Sequence, residues 1–237
     1  MNQTVSLFTV TIFLFGHFAV QAQQKGLQLV PLASNSTFTH ARIQQNEALD
    51  TVLLLPFWDD FSQSNTTDLG VPIPDTLKWM PSSQNTRINS GLAINPPTIG
   101  VASFDGVQLD GTPYRSGEED DASDSLISRP INLAAVPEGV RNSVYFSFYW
   151  QQRGNGEFPD PGDSLRLQFL TNESTWRTVW VQDGGDSLAT KNFVQELFPI
   201  FNPAYFHEQF QFRFQAFSRL TGAFDTWNID YVYLNQN

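Results

Sequence analysis

Between Gln209 and Leu234 the chain reads QFQFRFQAFSRLTGAFDTWNIDYVYL. Phe210, Phe212, Phe214 and Ala216 take every second position, with Gln209, Gln211, Arg213 and Gln215 between them. A two-residue period is that of a half-buried antiparallel strand, with rings on one face and polar groups on the other. After a turn, Trp227, Ile229, Tyr231 and Tyr233 alternate with Asn228, Asp230, Val232 and Leu234. Neither face of this second strand is fully polar, so it is expected to lie centrally or to have both faces covered. Each buried Phe contributes roughly 1.5–3 kcal/mol, so the pair can anchor a sheet-on-sheet core.

The same pattern recurs upstream. Val144, Phe146, Phe148 and Trp150 alternate with Ser143, Tyr145, Ser147, Tyr149 and Gln151. Leu165, Leu167 and Phe169 alternate with Ser164, Arg166 and Gln168. Further strands are expected at 51–61, 77–80, 86–88, 99–104, 125–133, 175–181 and 193–200, separated by turn signals such as Asp105-Gly106 and Asp183-Gly184-Gly185. Pro130 within 125–133 removes a ladder donor and marks an edge or a bulge. No helix and no internal repeat is evident. The spacing predicts an all-β sandwich of two antiparallel sheets spanning 51–237.

Ahead of it, 1–22 reads as a secretory signal: an apolar run from Leu7 to Val20, too short for a comfortable span, then Val20-Gln21-Ala22 before a cut. Its start carries no Lys or Arg. Residues 23–50 are polar and read as a flexible lead-in. No later run is apolar enough to span a membrane, so no transmembrane segment is expected in the mature chain. The formal charge of −11 argues against a nucleic-acid partner. The chain has no cysteine, hence no disulfide and no thiolate metal site. The acidic run Glu118, Glu119, Asp120, Asp121 and Asp124 is expected in a solvated loop, or less simply as a cation site, although it lacks the spacing of an EF-hand loop.

Several segments together resemble the MAM-like or cleaved-adhesin-like jelly-roll module of secreted Bacteroidetes proteins. They are FWDDFS (57–62), INPPTIGVASFDG (94–106), DSLISRPINL (124–133), VYFSFYWQ (144–151), PDPGDSLRLQF (159–169), WRTVW (176–180) and FRFQAFSRLTGAFDTWNIDYVYL (212–234). The resemblance covers about 51–234. It implies a jelly roll, export to the cell surface or the periplasmic face of the outer membrane, and a protein or glycan partner at the cell envelope. Relatives of this kind often end in a type IX sorting domain. This sequence ends three residues past the last expected strand, which leaves open a role within the type IX secretion or gliding apparatus itself.

The resemblance further implies a structural cation, with Asp60 (or Asp59), Asp105 and Asp230 at the matching positions. Calcium fits such carboxylate and carbonyl oxygens. The plainer alternative is that Asp60 and Asp230 accept backbone N–H bonds at strand ends. Tyr145 and Tyr149 share a face with Ser143, Ser147 and Gln151, a set that can stack on sugar rings and bond their hydroxyls, unless another segment covers it. Five Asp-Ser/Thr-apolar triplets, at 50–52, 75–77, 124–126, 163–165 and 186–188, resemble Bacteroidetes O-glycosylation sites, and also read as strand starts after turns. His207 has no nucleophile motif to pair with, and Glu157 with Asp160 lacks the pattern of a jelly-roll glucanase, so no enzyme is expected.

Overall fold

The computed structural model describes residues 51–83, 85–117, 120–185 and 192–236. The expected signal segment and lead-in, Glu118, Glu119 and the 186–188 triplet lie outside the described residues. Among those described there is no α-helix, and no helix is long and apolar enough to cross a membrane.

The described residues form twelve strands: β1 (Phe57–Asp59), β2 (Ser64–Thr66), β3 (Pro72–Pro74), β4 (Arg87–Asn89), β5 (Val101–Phe104), β6 (Asp120–Ile127), β7 (Val144–Gln152), β8 (Ser164–Leu170), β9 (Trp176–Asp183), β10 (Val194–Pro199), β11 (Phe212–Arg219) and β12 (Trp227–Gln236). One sheet has the order β10-β7-β12-β5-β4, with β1 also paired to β12. The second has the order β6-β11-β8-β9, and β2 and β3 form a small hairpin. From β5 onward nearly every connection crosses from one sheet to the other, β8–β9 alone staying within its sheet. The domain is an all-β sandwich of two antiparallel sheets, of the jelly-roll kind.

The alternations became the core. Phe146, Phe148, Leu165, Leu167, Phe210, Phe212 and Phe214 are fully buried between the sheets. Phe146 packs against the rings of Phe148, Phe169, Phe198, Phe212 and Phe214. Such ring pairs add about 0.5–1.5 kcal/mol each beyond area burial. β12 is central, as its two apolar faces required: it lies between β7 on one side and β5 and β1 on the other.

Some expectations shift. The 51–61 segment contributes only the short β1, with Leu53 making an isolated bridge to Ile131. Segment 77–80 forms a turn, from which Trp79 bridges to Ser128. Asp120, Asp121 and Asp124 belong to β6 rather than to a loop, and Asp124 is wholly buried. β6 is an edge strand and ends before Pro130, in keeping with the proline. Ser143 closes a 3-10 turn (Glu138–Ser143) instead of opening β7.

Candidate functional site

The outer face of the six-stranded sheet carries the candidate site. In β1, Phe57 and Asp59 are buried, so alternation sends Trp58 outward. Trp58 lies opposite Tyr233 of β12, which lies opposite Ser147 of β7, which lies opposite Leu197 of β10. That row crosses four strands on one face. Tyr149 and Tyr145 flank Ser147 on the same face of β7, half-buried and not covered by another strand. Ser147 itself is buried beneath them. Gln151 is not available to a ligand, because its amide exchanges hydrogen bonds with the backbone N–H and C=O of Ile94 at 2.9 and 2.7 Å. The 91–98 loop therefore covers that end of the face and leaves the tyrosine end open.

Tyr231 departs from the simple alternation. Two residues of β12, Tyr231 and Val232, oppose the single residue Phe148 of β7. This bulge reverses the parity of the strand: Trp227 and Ile229 face the core before it, Val232 and Leu234 after it. Tyr231 takes φ +48°, a left-handed conformation rare for a bulky residue, and the residue is 38% exposed. It stands between Trp58, 6.0 Å away and 42% exposed, and Tyr149, 6.4 Å away. Beside Trp58 a shallow cleft of about 180 Å³ is lined by Leu53, Leu54, Pro56, Phe57 and Lys78. Lys78 Nζ lies 5.5 Å from the Trp58 ring centroid and 3.0 Å from the buried Asp59 carboxylate. Trp79 Nε1 also donates to Asp59, at 2.6 Å.

Sequence reasoning found Tyr145 and Tyr149 but not Trp58, Tyr231 or Tyr233. The alternation Phe-Trp-Asp would have located Trp58. No periodic signal locates Tyr231, because a bulge breaks the period.

Asp230 is wholly buried beneath this bulge. Its carboxylate accepts the N–H of Tyr231 at 2.6 Å and the N–H of Thr98 at 2.8 Å. Thr98 Oγ1 lies 2.8 Å from Asp230 Oδ1, 2.8 Å from Asp60 O and 3.3 Å from Gly100 O. A hydroxyl carries one proton, so it cannot donate to three oxygens. It donates to Asp230 Oδ1 or to Asp60 O, the two nearest at 2.8 Å. Burial pushes the Asp230 carboxyl up to about 6, against the lowering effect of its hydrogen bonds from Thr98 and Tyr231. The close approach is possible only at glycine: a Cβ on Gly100 would lie 2.2 Å from Phe61 O.

The structure does not bring Asp60, Asp105 and Asp230 together as one group. Asp60 caps Ser62 with its side chain and reaches Asp230 only through its carbonyl and Thr98. Asp105 is ion-paired with Arg87 at 3.3 Å and neighbours the buried Asp124. Asp124 accepts from Tyr114 Oη at 2.5 Å and from Gly106 N at 2.9 Å, and burial pushes its carboxyl up to about 7.

Among the described residues, the carboxylates that do converge are Asp160, Asp163 and Asp225, with oxygens within 4.8 Å of one another, an arrangement that can hold a metal ion. Asp163 and Asp225 both accept the N–H of Asp160, and Asp160 pairs with Arg219 at 2.8 Å. Burial, followed by the neighbouring carboxylate, raises Asp163. Four strands, β8 to β11, separate Asp225 from the other two in the sequence, so their meeting is a tertiary fact.

No family model matches the chain, and no curated protein matches it. Several solved structures are similar. The K1 cleaved adhesin domain of Lys-gingipain from Porphyromonas gingivalis is 12% identical over 77% of this chain and 98% of that one, with a TM-score of 0.41. The CBM27-1 module of Caldicellulosiruptor saccharolyticus, in complex with mannohexaose, is 12% identical over 76% and 96%, with a TM-score of 0.45. The CBM22-1 xylan-binding domain of Xyn10C from Paenibacillus barcinonensis is 11% identical over 76% and 92%, with a TM-score of 0.40. Each is a distant likeness to this chain and carries nothing about what this chain binds.

Proposed function

We propose that the chain is a non-catalytic, exported binding module that holds a glycan at the cell envelope on the outer face of its six-stranded sheet. The observation that carries this reading is the contiguous run of the exposed Trp58 and Tyr231 and the half-buried Tyr149, drawn from three adjacent strands. Aromatic faces stack on the C–H faces of sugar rings while neighbouring amide, hydroxyl and ammonium groups meet the ring hydroxyls. Lys78, Gln195 and Asn235 stand at the margins of the face for that purpose. A glycan array followed by titration of the best ligand tests the proposal. Trp58→Ala and Tyr149→Ala are each expected to weaken binding about tenfold, the equivalent of ~1.4 kcal/mol. Binding unchanged in both variants would refute it.

A structural calcium ion belongs to the same proposal, held by Asp160, Asp163 and Asp225. A bound ion stabilises the folded state by mass action, so millimolar calcium is expected to raise Tm and a chelator to lower it. Identical melting curves in calcium and in chelator would remove the ion from the account.

A further inference from the structure

The opposite face of the sandwich has a different chemistry. On the four-stranded sheet, Arg213 of β11 lies between the buried Phe212 and Phe214, and Arg166 of β8 lies between the buried Leu165 and Leu167, so both point outward. Arg213 pairs with Gln168 and Arg166 with Gln215 in adjacent strands, which makes the two arginines diagonal neighbours on one face. Each guanidinium lies over an aromatic ring, Arg166 at 3.9 Å from the Phe217 centroid and Arg213 at 4.5 Å from the Trp176 centroid. Each is also fixed through Nε, by Ser164 Oγ at 3.1 Å and by Gln168 Oε1 at 2.7 Å. Stacking and an Nε bond together set the plane of each guanidinium, and both side chains remain partly exposed.

Both partners are neutral, in a chain with 24 acidic and 13 basic residues. Among the described residues, ion pairs are made by Lys78, Arg87, Arg115 and Arg219, and neither Arg166 nor Arg213 takes part. Two oriented guanidinium forks without carboxylates are poised for anions supplied from outside. A planar fork matches a carboxylate bidentately.

The geometry points to a second binding face, at Arg166 and Arg213, that takes the carboxylates of a uronic-acid polysaccharide. A polysaccharide fits better than an acidic peptide. A peptide laid across a sheet face leaves its backbone N–H and C=O groups unpaired, whereas it satisfies them by adding to an edge. A sugar chain presents hydroxyls and carboxylates, which side chains can serve, and Gln168 and Thr178 stand in the same row as Arg213. The face is independent of the aromatic platform, which lies on the other sheet.

Polygalacturonate is the probe, with neutral galactan and poly-glutamate as comparators, titrated against the full chain at low and at 0.5 M salt. Binding to polygalacturonate in preference to both comparators is expected, weakening with salt as exposed charges are screened. Arg166→Gln and Arg213→Gln are each expected to weaken it about tenfold, the loss of one charge-assisted pair. Arg213→Lys retains the charge without the fork and is expected to fall between, which separates anion recognition from a folding defect. Tyr149→Ala should leave this binding unchanged, so the two faces fail or succeed separately. No binding at low salt, equal binding of poly-glutamate, or full affinity in both Arg→Gln variants would each overturn the inference.

Discussion

The left-handed backbone at Tyr231 offers a test in which two similar substitutions destabilise by different amounts, with glycine losing less than alanine. Tyr231→Ala removes the ring of a residue that is 38% exposed and that makes edge contacts with Trp58 and Tyr149. Each contact is worth about 0.5–1.5 kcal/mol, so the loss is roughly 1–3 kcal/mol. Tyr231→Gly removes the same ring but also the Cβ. At φ +48° an L residue is disfavoured by roughly 1–2 kcal/mol, a cost that glycine escapes. Against this, glycine loses about 0.5–1 kcal/mol more chain entropy on folding than alanine. The difference leaves the Gly variant about 0.5–1 kcal/mol more stable than the Ala variant. For a domain of this size that is roughly 2–3 °C in Tm. Thermal melts and urea titrations of the two variants measure it, the latter as a shift in midpoint at constant slope. Both should lose the platform's sugar affinity alike, because both lack the ring. A Gly variant no more stable than the Ala variant would refute the claim that the bulge holds Tyr231 under strain, and with it the reading that the strain is tolerated to place the ring.

Two further expectations concern stability. Asp124 and Asp230 are pushed up by burial to about 7 and about 6, above the value near 3.9 of an unfolded Asp. A raised folded-state pKa means that the folded chain holds the proton more tightly. The stabilisation is thus complete below about pH 3.9 and is lost as pH rises through the folded values. Tm should be higher at pH 5 than at pH 8, and Asp124→Asn should flatten that trend, its share being on the order of 3 kcal/mol. A trend just as steep in Asp124→Asn would show that other groups cause it. Gly100→Ala would place a Cβ 2.2 Å from a backbone carbonyl at Phe61, which can relieve the clash only by moving β1 or β5. A loss of about 1–3 kcal/mol or more is expected in chemical unfolding, and a neutral result would mean that the two segments separate easily.

The sandwich was legible from residues because a strand exposes two faces of different polarity, and period-2 runs such as Phe210–Ala216 and Val144–Trp150 declare which face is buried. The same alternation put Tyr145 and Tyr149 outward before any coordinate did. It failed at three kinds of place. At Tyr231 an extra residue reverses the parity, so the expected face of Tyr231 and Tyr233 did not continue that of Ile229. At Gln151 a polar residue that reads as open is bound by the backbone of a loop some 57 positions upstream. At the carboxylates, residue type alone does not say which ones meet: Asp105 went to Arg87, Asp230 to Thr98, and Asp160, Asp163 and Asp225 to one another. What the sequence by itself determined is local: which segments are strands, which side of each is apolar, and that the domain must close two sheets over aromatic rings. Which exposed rings and guanidinium groups share a face, and which acids meet one another, only the tertiary structure decided. Those relations depend on how strands far apart in the chain are ordered and registered, and a period carries no information about either.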